Sequence, residues 1–87
     1  MVKGAQPVLT VYARTYCHLC DDMIAALQQL QGRFVFEIKV VDVDSDAALE
    51  TRFGELVPVL MAGDSEPELC HYYLDEAAVT AFLAKIR

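Results

Sequence analysis

Cationic residues are scarce in this 87-residue chain, where seven Lys and Arg stand against 13 Asp and Glu and leave a formal net charge of −6. Neutralising phosphates takes clustered Lys and Arg, and an anionic membrane surface asks for the same, so neither nucleic acid nor membrane is an expected partner. The acidity is read as keeping a small protein soluble. Long apolar runs are missing as well. Val8 to Ala13 is the only one near the start, and Arg14 ends it. It lacks the layout of a signal peptide and falls far short of the roughly 20 residues of a bilayer span. Cysteine is limited to three residues, an odd number that fits a reducing compartment better than a secreted disulfide framework. The expectation is a cytoplasmic protein.

What is present is apolar side chains in ordered patterns: the chain is 55% hydrophobic, enough for one modest core without staples. Residues 1–6 read as a flexible tail and residues 7–87 as a single domain. Val8 to Tyr12 is a strand covered on both faces. The period then changes: Leu19, Met23, Leu27 and Leu30, widened by Ile24 and Ala26, form a helix face that Gly32 ends. Phe34 to Val41 alternates, with Phe34, Phe36, Ile38 and Val40 on one side, as a second strand. Asp42 to Asp46 supplies turn and cap chemistry for a short helix, Ala47 to Phe53, closed by Gly54. Val57 to Met61 is a third strand, residues 62–67 a turn and Glu68 to Tyr73 a fourth strand. Asp75 caps a last helix with Ala78, Val79, Phe82 and Ile86 on one face. The order βαβαββα describes a small α/β domain with a parallel first pair and an antiparallel terminal hairpin.

The chemistry centres on Tyr16-Cys17-His18-Leu19-Cys20, where C-x-x-C falls at the junction of the first strand and first helix. A cysteine there meets unpaired N–H groups and the positive end of the helix dipole, and both favour a thiolate. Cys17 is therefore read as the nucleophile and Cys20, one turn deeper, as the resolving thiol. Arg14 is the nearest cation and favours the thiolate further. Asp21, four residues from Cys17 on the same helix face, opposes it together with Asp22. His18 reads as a solvated polar residue and Leu19 as packing.

Two other readings of these cysteines stay open. A tetrahedral zinc site needs four ligands, and beyond the one C-x-x-C only Cys70 or His71 is on offer. Those two are adjacent on a strand and point to opposite faces, so one at most joins. The metal reading includes an iron–sulfur cluster bridged between two chains through Cys17 and Cys20, and the alternative to it is a binding module that kept its cysteines without efficient catalysis. Val57-Pro58 favours redox chemistry. A proline heading an apolar strand removes a ladder donor, and beside a C-x-x-C it suggests a cis-proline turn whose free backbone groups pair with an extended substrate.

With Arg14-Thr15-Tyr16-Cys17-His18-Leu19-Cys20 after a strand, Val57-Pro58-Val59-Leu60 opening the third, and this element order, the chain resembles a glutaredoxin, a minimal thioredoxin fold. It is similar, more narrowly, to the short, divergent glutaredoxin-like proteins of bacteria. The resemblance implies a four-stranded mixed sheet with helices on both faces, its hairpin antiparallel to the first strand. It also implies thiol–disulfide exchange through Cys17 and Cys20, with Arg14 at a position where the family carries a cation and Pro58 as its cis-proline. Substrates would be protein disulfides or glutathione mixed disulfides. No cofactor is implied beyond the dithiol, glutathione being the co-substrate, and the expected state is a monomer.

The departures from the family pattern are specific. His18-Leu19 replaces Pro-Tyr, and Leu56 replaces the threonine before Val57-Pro58. Tyr72-Tyr73-Leu74-Asp75 stands where two glycines let glutathione approach the backbone, so the tyrosines obstruct it. Asp75 remains in place to meet its amino group, although the cap role accounts fully for Asp75.

Overall fold

The computed structural model describes residues 6–62 and 68–85. The first five residues of the expected tail, most of the turn at 62–67 and Ile86 lie outside them. Four strands and three helices run in the expected order: β1 Val8–Ala13, α1 His18–Leu30, β2 Glu37–Asp42, α2 Ala47–Phe53, β3 Val59–Met61, β4 Glu68–His71 and α3 Glu76–Lys85. A single 3-10 turn, Val43–Ser45, joins β2 to α2. The strands lie in the order β2-β1-β3-β4. β1 pairs parallel with β2 and antiparallel with β3, and β3 pairs antiparallel with β4.

β1 is central and carries no solvent-facing side: Leu9, Thr10 and Val11 are fully buried and Tyr12 and Ala13 nearly so. Alternation along it divides two cores. Leu9, Val11 and Ala13 face α1 and α3, meeting Met23, Leu27 and Leu30 of the first helix and Val79 and Leu83 of the last. Tyr12 faces the other way, with Val59 and Met61, onto Val43 and Phe53. Tyr12 stacks on the Phe53 ring with centroids 4.4 Å apart. Helices thus cover both faces of a mixed four-stranded sheet. Burying each large aliphatic side chain stabilises such a core by about 1.5–3 kcal/mol.

Several boundaries differ from the sequence reading. β2 begins at Glu37 rather than Phe34, and Val40 is 52% exposed because β2 is the sheet edge. β3 begins at Val59 rather than Val57. β4 stops at His71 because Tyr72 takes a left-handed φ of 64° and the Tyr73 N–H closes onto the His71 carbonyl, a tight three-residue turn. On α3 the buried pair is Val79 and Leu83, with Ala78 and Phe82 half-buried. Among the described residues, no helix is long and apolar enough to cross a membrane.

Candidate active site

The turn between β1 and α1 sets the first cysteine. Thr15 and Tyr16 reverse the chain, Tyr16 in the left-handed region at φ 59° with its ring wholly in solvent. Cys17 follows with extended backbone as the residue that caps α1. Its Sγ accepts the Cys20 N–H at 3.1 Å, and its carbonyl accepts the Asp21 N–H at 3.1 Å. A sulfur thus occupies the place usually taken by a serine or aspartate oxygen. Sγ of Cys17 is joined to Sγ of Cys20 in a disulfide whose Cα atoms lie 5.2 Å apart. Cys20 is 1% exposed, packed with Met23 and Leu27 in the core, while Cys17 is half-buried at its margin. The pair is therefore asymmetric: an attacking group from outside meets Cys17 first.

Around the pair, charge is arranged unevenly. The Arg14 guanidinium donates to both Asp44 oxygens, at 2.9 and 3.2 Å, to Glu50 at 3.4 Å and to the Gly54 carbonyl at 3.1 Å. The bond to Asp44 holds its pKa above the ordinary value. None of its hydrogen bonds goes to Cys17. Arg14 instead ties the turn after β1 to the 3-10 turn and α2. Of its acidic partners, the sequence reading took Asp44 as turn and cap chemistry and Glu50 only as part of the short helix. Asp21, Asp22 and His18 are exposed around the first turn of α1.

Val57 and Pro58 sit at the same end of the sheet, since Tyr12 of β1 pairs with Val59 of β3. The peptide bond between them is cis. The Tyr72 N–H donates to the Pro58 carbonyl at 2.9 Å, and the Tyr72 hydroxyl donates to the Glu55 carbonyl at 3.0 Å. Among the described residues, no backbone hydrogen bond uses the N–H or carbonyl of Val57. Asp75 serves as the cap of α3. Its carboxylate accepts the Ala78 N–H at 3.0 Å, its carbonyl accepts the Val79 N–H at 3.1 Å, and its own N–H points at Sγ of Cys70, 3.4 Å away. Cys70 is half-buried with its thiol pKa pushed up by burial, and His71 beside it is exposed and contacts Glu68. Among the described residues, no three His, Cys, Asp or Glu side chains converge on a metal position.

Comparison with known proteins agrees with this architecture. A family model described as "Glutaredoxin-like domain (DUF836)" matches residues 8–84. Protein Ne2328 from Nitrosomonas europaea, solved by NMR, is 40% identical, with a TM-score of 0.83 over 95% of this chain and 98% of its own. Protein XcR50 from X. campestris, solved by X-ray diffraction, is 38% identical, with a TM-score of 0.69 over 88% of this chain and 96% of its own. At 19% identity, the germline-specific thioredoxin Deadhead from Drosophila melanogaster shares the fold, with a TM-score of 0.64 over 97% of this chain and 84% of its own. Among curated proteins, none matches.

Proposed function

The chain belongs to the glutaredoxin-like domain family, and from that premise we propose that it is a thiol–disulfide oxidoreductase of the cytoplasm contributing to cell redox homeostasis. The observation that carries the reading is Cys17 at the cap of α1, its sulfur accepting the Cys20 N–H and bonded to the buried Cys20 sulfur. The helix end stabilises negative charge there by about 0.3–1 kcal/mol.

In the reduced protein the Cys17 thiolate attacks one sulfur of a substrate disulfide. A Cys17–substrate S–S bond forms, the substrate's own S–S bond breaks, and its second sulfur leaves as thiolate. Cys20 then loses its proton and attacks Cys17 Sγ, forming the internal disulfide and releasing the first substrate sulfur. Two electrons have passed to the substrate, and a thiol reductant such as glutathione restores the dithiol. The unpaired N–H and carbonyl of Val57, beside Pro58, pair with an extended substrate backbone next to its disulfide. Arg14 contributes by holding the turn that carries Cys17, its charge being shared with Asp44 and Glu50.

A protein disulfide suits this site better than glutathione, because Tyr72 and Tyr73 occupy the stretch before α3 and Asp75 is committed to its cap. Exchanging Cys17 for serine should abolish disulfide reduction. Exchanging Cys20 for serine should leave a stable mixed disulfide on Cys17, visible by mass spectrometry. Wild-type turnover by the Cys17→Ser protein would refute the mechanism. The unpaired Asp21 carboxylate favours a second reading, a binding module with a poor thiolate, which predicts no mixed disulfide on the Cys20→Ser protein.

A further inference from the structure

A cavity of about 220 Å³ opens beside Cys20, between the first turns of α1 and the end of the edge strand β2. Cys20, Ala13, Ile24 and Val40 give it an apolar floor, and Val40 is half exposed with no neighbouring strand to cover it. Asp21 and Asp42 stand on its rim. Neither carboxylate is paired with a Lys, Arg or His among the described residues. Among the described residues the Asp42 carboxylate accepts one hydrogen bond, from the Asp44 N–H at 2.9 Å, and its carbonyl accepts the Ser45 hydroxyl at 2.7 Å. The one cation lining the cavity, Arg14, is already engaged by Asp44 and Glu50. Counting Asp21, Asp42, Asp44 and Glu50 against Arg14, the surroundings carry four negative charges and one positive, a net −3.

An apolar trough ending in unpaired carboxylates fits a side chain with an aliphatic stem and a cationic head. We propose that the cavity is a specificity pocket for a Lys or Arg side chain adjacent to the disulfide cysteine of a polypeptide substrate. This rests on the oxidoreductase reading and narrows it to basic polypeptides. The stem lies on Ile24 and Val40, and the head meets Asp21 and Asp42. An acidic neighbour in the substrate is repelled by the same two groups.

The test uses prereduced protein in single turnover on three cyclic peptide disulfides, identical except for Lys, Ala or Glu after one cysteine. Rates are divided by those of a small dithiol, which has no pocket. The expected order is Lys, then Ala, then Glu, each step about two- to fivefold at low ionic strength, as for a partly exposed ion pair. The preference shrinks in 0.5 M salt, where the Debye length falls to only a few ångströms. Asp42→Asn, which keeps the acceptor for the Asp44 N–H, and Val40→Lys, which places a cation in the trough, should each bring the Lys-to-Ala ratio towards one. Equal normalised rates on the Lys and Ala peptides, or a Lys preference that survives both substitutions, would overturn the pocket while leaving the oxidoreductase reading intact. If no peptide is reduced, that reading fails and the pocket fails with it.

Discussion

Thr10 has its hydroxyl buried at 0% exposure with no hydrogen-bond partner among the described residues. Exchanging it for valine keeps the shape and removes the unsatisfied group, so Thr10→Val should stabilise the protein by about 1 kcal/mol in urea titration. Cys70 gives a pH dependence. Burial raises its thiol pKa above the value in the unfolded chain, so the folded state holds its proton longer. Its contribution is complete below the unfolded thiol pKa and is lost as pH rises through the folded one. Urea midpoints of the wild type should therefore fall more steeply above about pH 8.5 than those of Cys70→Ala, because the variant lacks this titration. At this scale the sequence was readable for caps. Asp46 accepts the Ala48 N–H at 2.8 Å and Asp75 the Ala78 N–H, as their spacing before apolar helices indicated. It was silent on Tyr16 and Tyr72, whose left-handed backbones are imposed by the turns that must close there. It marked Arg14 as a cation for the thiolate but was silent on its partners, Asp44 and Glu50, which lie 30 and 36 residues away.

At the scale of elements, local pattern identified every strand and helix and failed at edges. The repeat from Met23 to Leu30 buries as read, because α1 lies across the central strand. The alternation from Phe34 to Val40 is just as regular, yet Phe36 is buried ahead of the strand and Val40 is exposed within it. Period tells which side a residue faces, and only the position of the strand in the sheet tells whether that side is covered. Leu27→Ala, at 0% exposure on the core face of α1, should cost about 2–5 kcal/mol. Val40→Ala on the edge should change stability by less than about 0.5 kcal/mol. Comparable losses at both sites in denaturant titrations would contradict the edge placement of β2.

Across the whole molecule, the topology brings separate segments to one end of the sheet. Parallel pairing sets Ala13 against Asp42, antiparallel pairing sets Tyr12 against Val59, and His71 of β4 pairs with Val59. The turn carrying Cys17, the Val57-Pro58 segment, the acidic end of β2 and Tyr72 therefore gather although up to 56 residues separate them in sequence, from Tyr16 to Tyr72. The cysteine pair and Val57-Pro58 were legible because short motifs carry them. The cavity over Val40 was not, because it exists only between an edge strand and a helix that are remote in sequence. On the proposed mechanism, Cys17 and Cys20 form a reversible redox couple. Its most direct measurement is equilibration of the pure protein in glutathione buffers of graded potential, with free thiols trapped and counted by mass. Both thiols should disappear together by forming a Cys17–Cys20 disulfide, with a midpoint between roughly −180 and −270 mV, the range from protein disulfide isomerase to thioredoxin. Two thiols that stay free across that whole range would contradict it.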